Sequence, residues 1–276
     1  MVVELIPCTF LSKRSAVKSH IDFIQITDLH IDAPPIILQD GRDTTENYLK
    51  HVLSNIPFDE TEFMICTGDL AAKPSVSAYQ RIVSLLKDVP HPIYCLPGNH
   101  DDLPLAVAST QASNLIWNKT IIRPPWLIIL LDSHEPGAVR GKLSETELTF
   151  LKTTLQQNPA LHTLICLHHP PVPIGSEWLD QHIIQNRQQF FDVIDNYSQV
   201  RGILWGHIHQ AFEMQQNGKL LLGTPSTCTQ FAPHSTQFTV DSSPPAYRSL
   251  SLYPDGEIIT ELVWCETSPH HGDDSF

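Results

Sequence analysis

The sequence predicts an α/β domain that finishes in an antiparallel β section. Short apolar runs alternate with longer amphipathic stretches through most of the chain, and polar residues of metal-binding type directly follow five of the apolar runs. Near the C-terminal end, turn signals separate strands with alternating polarity. Strands alternating with helices are typical of a layered α/β fold, and strands joined by tight turns are typical of an antiparallel sheet.

The first part of the chain alternates predicted strands with predicted helices. The strands are short apolar runs, at residues 21–27, 62–67 and 92–96. A helix is predicted over residues 44–56 with Asp43 as its N-cap, because a short polar side chain there can accept a hydrogen bond from a free backbone N–H of the first turn. A second helix is expected from about Pro74 to about Asp88, since proline is favoured in the first helical turn.

The second part continues the alternation and then changes to hairpins. Its strands are predicted at residues 125–131, 163–167 and 200–205. Ser144 with Glu147 three residues later is a capping-box pattern that predicts the start of a helix, and another helix is expected over about residues 180–197. Asn217-Gly218 is a type I′ turn signal, and a second turn is predicted at residues 254–256.

Composition favours one globular domain. The chain has 276 residues, of which 41% are hydrophobic and 17% charged, so it can bury a sizeable core. No repeat or linker divides it. We therefore expect an N-terminal segment at residues 1–20, one domain at residues 21–266, and a disordered tail at residues 267–276.

Charge and apolar content restrict the partners. A net charge of -13 disfavours a long nucleic acid, because both partners are negative. A small anionic substrate is compatible, since bound metal cations can dominate the field inside one pocket. The cysteines form no CxxC pair, and no run approaches the roughly 18 apolar residues of a membrane helix. We expect a cytoplasmic protein with no membrane partner.

Five predicted strands lead into residues that bind metals. In open α/β sheets ligands gather beyond the carboxyl ends of the strands, so parallel neighbours would bring these residues to one cleft. In an extended segment, residues two apart face the same side at about 7 Å, so each Asp-x-His or His-x-His pair can serve one site. The clusters are Asp28 and His30, Asp69, Asn99 with His100 and Asp101, His168 with His169, and His207 with His209.

Each cluster alone also has an ordinary structural explanation. An isolated Asp-x-His is close to chance, Gly-Asp and Gly-Asn are common in turns, and the histidine pair before Pro170 is compatible with a strand stopped by proline. The five clusters together, in this order and each after an apolar strand, predict a metal centre.

The series resembles the calcineurin-like metallophosphoesterases, and more closely the bacterial class III 3′,5′-cyclic-AMP phosphodiesterases. The matching motifs are Asp-x-His, Gly-Asp, Gly-Asn-His-Asp, His-His-x-Pro and Gly-His-x-His. The similarity extends over residues 24–264 and is densest at residues 173–182, 206–210 and 223–231. The loop after His30 is the least familiar part.

The resemblance implies a four-layer α-β-β-α sandwich of two mixed sheets, with a binuclear metal site at the carboxyl ends of the strands. Asp28, His30 and His209 would hold one metal. Asn99, His168 and His207 would hold the other, and Asp69 would bridge both. His100 would face the phosphate and Asp101 would orient it. His169 is expected to be structural or to support the ligands.

The implied reaction is hydrolysis of 3′,5′-cyclic AMP to 5′-AMP by in-line attack of a metal-bridging hydroxide. Mixed nitrogen and oxygen ligands suit iron or manganese, with zinc or cobalt as alternatives, better than magnesium. Base recognition is assigned to the segment 224–231, in particular to its hydroxyl-bearing residues Ser226 and Thr227, with the neighbourhood of Trp178 as a second candidate. The other expected substrate contacts are His30, Asp69, Asn99, His100 and His209.

Three alternatives stay open at this point. The first is a broader phosphodiesterase or phosphatase of the same superfamily, acting on glycerophosphodiesters or dinucleoside polyphosphates. The second is a nuclease, which the acidic charge disfavours. The third is an inactive binding scaffold, which the complete ligand set disfavours. The chain is either a monomer or a homodimer.

Overall fold

Two six-stranded mixed sheets form the centre of the computed structural model, which describes residues 20–35 and 44–266. The first sheet has the order β14-β13-β1-β2-β3-β4. Its strands β1 to β4 run parallel, and β13 and β14 add an antiparallel edge. In chain order they are β1 (Ile21–Ile26), β2 (Phe63–Cys66), β3 (Ile93–Cys95), β4 (Leu115–Ile116), β13 (Ala246–Leu252) and β14 (Ile258–Trp264).

The second sheet has the order β5-β6-β7-β8-β10-β9. Strands β6, β7, β8 and β10 are parallel, and β5 and β9 are antiparallel edges. These strands are β5 (Thr120–Arg123), β6 (Trp126–Leu130), β7 (His162–Cys166), β8 (Val200–Trp205), β9 (Phe212–Gln216) and β10 (Lys219–Gly223). A separate short hairpin pairs β11 (Gln230–Phe231) with β12 (Val240–Asp241).

Five α-helices cover the outer faces of the sheets. Three of them pack on the first sheet, where Leu49, Ile82 and Ala106 contribute to one apolar cluster with β1 to β3. The other two pack on the second sheet, where Leu151 and Phe190 contribute to another. The helices are α1 (Thr45–Ser54), α2 (Val76–Leu86), α3 (Leu103–Thr110), α4 (Glu145–Gln157) and α5 (Arg187–Ile194).

A third apolar layer lies between the sheets. Phe23 and Phe63 stack there with ring centroids 5.0 Å apart, and Leu164, Leu204 and Leu222 face them from the second sheet. Strands that are buried on both faces read as continuous apolar runs, as β2 and β6 do. Three apolar layers between four layers of structure confirm the predicted α-β-β-α sandwich.

Most predicted elements are confirmed within a few residues, and the differences have local causes. The side chain of Thr44, not Asp43, accepts the N–H of Asn47 and caps α1. The helix expected over residues 180–197 is divided into a 3₁₀ turn, Asp180–His182, and α5. Helix α3 and the short strands β4 and β5 were not predicted. Asp43, residues 1–19 and the expected tail at residues 267–276 lie outside the described residues.

The predicted hairpins and the Ser144 cap are present, but the Glu147 carboxylate bonds Lys119 and the N–H of Asp132 and so does not complete a capping box. Asn217 and Gly218 both adopt positive φ, 50° and 73°, as a type I′ turn between β9 and β10 requires. The side chain of Ser144 accepts the N–H of Glu147 at the start of α4. Within residues 20–35 and 44–266, every helix is too short or too polar to cross a lipid bilayer.

The inter-sheet layer predicts a measurable loss of stability. Phe63→Ala removes a fully buried ring that contacts both Phe23 and Tyr94. We expect the free energy of unfolding to fall by about 3–5 kcal/mol. Val76→Ala, at a half-exposed helix position, should change stability by no more than about 0.5 kcal/mol. Urea unfolding followed by circular dichroism measures both. Equal midpoints for the two variants would contradict this account of the core.

Candidate metal centre

Five of the seven predicted ligands have left-handed backbone conformations. The φ angles are 55° at Asp28, 45° at His30, 52° at Asp69, 66° at His207 and 47° at His209. The prediction that the Asp-x-His and His-x-His pairs lie in extended segments is therefore wrong. Asp and His tolerate this region better than most residues, but each instance still costs about 1–2 kcal/mol in an L-residue.

Hydrogen bonds between strand ends hold this backbone in place. The N–H groups of Asp28 and His30 donate to the carbonyls of Gly68 and Asp69, both at 3.0 Å, which ties the end of β1 to the end of β2. Asp28 Oδ2 accepts the N–H of His207 at 3.0 Å and the hydroxyl of Thr27 at 2.7 Å. The first of these bonds joins the two sheets, because His207 follows β8.

One group of ligand atoms forms around Asp28. His209 Nε2 lies 3.3 Å from Asp28 Oδ1 and 3.3 Å from His30 Nε2. His30 Nε2 lies 3.9 Å from Asp28 Oδ1. These three residues are those predicted for the first metal.

A second group forms around Asn99. Its Oδ1 lies 3.2 Å from His168 Nε2 and 3.0 Å from His207 Nδ1, and the two histidine nitrogens are 3.3 Å apart. These are the residues predicted for the second metal. Asn99 follows β3 in the first sheet, whereas His168 and His207 follow β7 and β8 in the second, so this group also spans both sheets.

Asp69 lies between the two groups. Its Oδ2 is 3.7 Å from His30 Nε2 and 3.4 Å from His168 Nε2, while Oδ1 accepts the N–H of His100 at 2.9 Å. Gly98 permits this approach, because a Cβ built there would lie 2.1 Å from Asp69 Oδ1. Oδ2 therefore faces both groups of candidate ligands.

The donor atoms fit cations. Asp28 Oδ1 is buried and has no hydrogen-bond partner among the described residues. The Nδ1 atoms of His168 and His209 donate to the carbonyls of Thr67 and Thr229 at 2.8 and 2.6 Å, so in the neutral form of each ring Nε2 carries the lone pair and faces the cluster. Two carboxylates, an amide oxygen and four imidazoles suit divalent transition metals.

Burial and mutual charge set the protonation of these groups. Burial lowers the pKa of His30 to about 4 and that of His207 well below its usual range, although Asp69 acts in the opposite direction on both. Both rings are therefore neutral near pH 7, the form that coordinates metals. Burial raises the pKa of Asp69, but the adjacent His168 more than offsets this effect. The pKa of Asp69 therefore lies well below its ordinary value.

His169 supports its neighbours and is not placed as a ligand. Its Nδ1 lies 2.8 Å from the Ser133 hydroxyl, and its Nε2 lies 3.1 Å from the Val139 carbonyl. Both ring nitrogens are therefore engaged by the protein. This arrangement agrees with the predicted structural role.

His100 and Asp101 do not form the expected pair. His100 is exposed at the cleft, and its Nδ1 donates to the Ala72 carbonyl at 2.9 Å. The Asp101 carboxylate instead accepts the N–H groups of Leu70, Ala71 and Gly98 and the hydroxyl of Tyr79. Asp101 thus organises the loops that carry Asp69 and Asn99, and Ala72 is the residue that orients His100.

Ser226 and Thr227 are not available to a base. Both side chains are fully buried, and the Ser226 hydroxyl donates to the Asp28 carbonyl at 2.9 Å. The N–H of Thr227 donates to the Thr27 carbonyl at 3.1 Å. The expectation that these residues read the base is therefore corrected: they support the backbone behind a ligand.

Aromatic residues line the cavity beside the ligands. Phe231 stacks on His209 with ring centroids 4.1 Å apart and an interplanar angle of 5°. Phe231, Phe238 and Trp178 contact one another and line a cavity of about 150 Å³ together with the ligand side chains. Phe231 lies in the segment 224–231 that was expected to set base selectivity, and Trp178 was the second candidate, whereas no signal marked Phe238.

Comparison with known proteins agrees with this geometry. The family model described as "Calcineurin-like phosphoesterase" matches residues 21–211. This chain belongs to the calcineurin-like phosphoesterase family. Solved structures share the fold: a dimetal phosphatase from Danio rerio superposes with a TM-score of 0.61 at 14% identity, covering 89% of this chain and 99% of that one.

Sequence relatives with much higher identity confirm the closer resemblance. A 3′,5′-cyclic adenosine monophosphate phosphodiesterase CpdA from Escherichia coli strain K12 is 39% identical over 92% of this chain and 93% of its own. A 3′,5′-cyclic-nucleotide phosphodiesterase from Nostoc is 39% identical over 89% and 92%. The CpdA of Pseudomonas aeruginosa is 35% identical over 91% and 92%.

The position of Asp69 between the two groups predicts that it is the most sensitive ligand. Asp69→Asn keeps the shape and removes the charge that faces both groups, so we expect less than half of the wild-type metal content and at least about a hundredfold loss of turnover. Elemental analysis and phosphodiester hydrolysis measure the two effects. Asp255→Asn, at the exposed β13-β14 turn, is the control. Two retained metals with normal turnover would refute a shared position for Asp69.

Proposed function

We propose that the protein hydrolyses 3′,5′-cyclic AMP to 5′-AMP with two divalent metals. The observation that supports this most strongly is the pair of ligand groups that meet at Asp69 Oδ2. The relatives named as cyclic-nucleotide phosphodiesterases match about nine tenths of the chain, which supports the choice of substrate.

The charge of the site suits a phosphodiester. Two divalent cations there would activate the attacking water and neutralise charge on the phosphoryl oxygens. The carboxylates of Asp28 and Asp69 offset half of the positive charge that such cations bring, so the site stays cationic toward a singly charged diester. Iron or manganese is expected from the mixed nitrogen and oxygen donors.

His100 is positioned to act on the leaving group. A ring nitrogen of His100 lies within 4.8 Å of ligand atoms of His30 and Asp69. The rings of His100 and His30 meet edge to face, with centroids 4.9 Å apart. The Ala72 carbonyl fixes the ring orientation through Nδ1. Donation of a proton to the ribose 3′ oxygen from this position is worth about 10²–10⁴-fold in rate.

The aromatic wall offers a surface for the base. Trp178 is held by its Nε1, which donates to the Ser235 hydroxyl at 3.0 Å, and half of the Phe238 ring is exposed. Stacking of a base on an aromatic side chain contributes about 1–3 kcal/mol and accepts any base. Trp178 and Phe238 therefore replace Ser226 and Thr227 as the proposed base contacts, with weak discrimination between adenine and guanine.

Linear phosphodiesters are the second candidate substrate class. A further cavity of about 770 Å³ adjoins the aromatic one at Asn99 and His100. Pro74, Pro104 and Asp132 are among its lining residues. Two adjoining cavities that share Asn99 and His100 give room for both substituents of a linear diester, which a cyclic nucleotide does not need.

Metal removal tests the proposed reaction. Protein stripped with a chelator should lose at least about 95% of its cyclic-AMP hydrolysis, because the ligands alone provide no activated nucleophile. Addition of Mn²⁺ or Fe²⁺ under anaerobic conditions should restore it. Full turnover by protein that elemental analysis shows to be metal-free would refute the proposal.

A substrate panel on the restored enzyme separates the two candidates. Cyclic AMP, cyclic GMP, 2′,3′-cyclic AMP and bis(p-nitrophenyl) phosphate are compared by kcat/KM. A preference for the 3′,5′-cyclic nucleotides supports the first candidate. Faster turnover of a linear diester with an unactivated leaving group, such as a glycerophosphodiester added to the panel, would favour the second; bis(p-nitrophenyl) phosphate reports only that the metal centre is active.

The role of His100 predicts a split between substrates. His100→Ala should lose about a hundredfold or more on cyclic AMP but less than about tenfold on bis(p-nitrophenyl) phosphate, because nitrophenolate leaves without a proton. Metal content should not change. His91→Ala is the control, since His91 bonds the Phe58 carbonyl away from the cleft. Equal losses on both substrates would assign His100 to positioning the phosphate.

A further inference from the structure

A buried polar network crosses the space between the two sheets. Arg248, on β13, is 1% exposed, and its Nε donates to Thr224 Oγ1 at 2.9 Å. Its Nη2 donates to the Gly223 carbonyl at 2.9 Å, and its Nη1 donates to Thr260 Oγ1 at 3.0 Å. Gly223 ends β10 in the second sheet, so the guanidinium joins the sheets within an otherwise apolar layer.

The network continues toward the metal ligands. Gln25 lies opposite Arg248 in the β1-β13 pairing, and its Oε1 accepts the Thr224 hydroxyl. Gln25 Nε2 donates to Thr67 Oγ1 at 2.8 Å and to the Trp205 carbonyl at 3.1 Å. Asp69 follows Thr67 by two residues, and His207 follows Trp205 by two residues.

The cation sets the direction of these hydrogen bonds. A guanidinium can only donate hydrogen bonds, so the Thr224 hydroxyl oxygen must accept one from Arg248. The hydroxyl group then donates its own hydrogen bond to Gln25 Oε1. This fixes the orientation of the Gln25 amide, and Nε2 must then donate to Thr67 and Trp205. The Trp205 carbonyl can only accept, so it requires the same orientation of the amide, and the two ends of the network agree.

No carboxylate contacts Arg248 among the described residues: no ion pair within 4.0 Å includes it, and all three of its described acceptors are neutral oxygens. Burial lowers the pKa of Arg248 to about 10, although the more distant charge of Glu213 acts in the opposite direction, so the side chain still carries its charge at neutral pH. A buried cation without a counter-charge in contact with it is costly. Its presence is unexplained by packing alone.

We propose that Arg248 is a positioning residue for the metal ligands, and that it acts through Thr224 and Gln25 on the strand ends preceding Asp69 and His207. The inference rests on the proposed metal centre. Hydrogen-bonded residues behind metal ligands typically change metal affinity by about 10–100-fold when they are lost.

The same threonine-to-valine change at two positions distinguishes an effect on ligand positioning from an effect on folding stability. Thr224 and Thr260 both accept from the same guanidinium, but only Thr224 connects to Gln25. Thr224→Val should weaken Mn²⁺ binding to the stripped protein by about tenfold or more, and Thr224→Ser should restore it. Thr260→Val should leave Mn²⁺ affinity within about twofold of wild type, even where it lowers the urea midpoint.

Isothermal titration calorimetry with Mn²⁺, on full-length protein whose folding is checked by circular dichroism, measures the affinities. Equal effects of Thr224→Val and Thr260→Val, or an unchanged affinity in Thr224→Val, would overturn the inference. If Thr224→Val yields no folded protein, Gln25→Met removes the next link, and an unchanged affinity there overturns it too. Absence of Mn²⁺ binding by the wild type would instead refute the metal centre itself, and the inference with it.

Discussion

Two buried carboxylates, those of Asp28 and Asp69, impose the constraint on which the rest of the site depends. A buried charge is costly unless it is paired and hydrogen-bonded, and one oxygen of Asp28 has no described hydrogen-bond partner. The imidazoles around the carboxylates satisfy part of this need. Divalent cations would provide the remaining compensation, because they would bring positive charge next to carboxylate oxygens that face the other ligand atoms and are not hydrogen-bonded by the protein.

The same constraint explains the unusual backbone around the site. Carboxylates and imidazoles can converge on a small volume only if the chain turns sharply as each strand ends, and left-handed residues produce that turn. Their conformational cost is offset by bonds that run from strand end to strand end, among them the contact of Asp28 with the N–H of His207. Removal of such bonds would allow the chain to relax away from the ligand geometry.

Residues that hydrogen-bond the backbone around the ligands therefore help to fix the geometry of the site. Asp101 collects three backbone N–H groups and a tyrosine hydroxyl, which holds two ligand loops together. Ser226 fixes the Asp28 carbonyl, and Gln25 connects strand ends in both sheets. The polar residues that resemble substrate contacts in the sequence are thus used to preorganise the site, while the surface left for a base is aromatic.

The sequence by itself determined the alternation of strands and helices and the set of candidate ligands, because apolar strands and the polar residues after them are local patterns; the resemblance to a known family added the four-layer arrangement. The turn at Asn217-Gly218 and the cap at Ser144 were predictable for the same reason. Only the tertiary structure decided which polar residues face the cleft. Ser226 and Asp101 are as polar as His100, but burial and backbone partners come from strands distant in the chain. The left-handed ligands and the Arg248 network likewise depend on how two sheets meet, which no local pattern encodes.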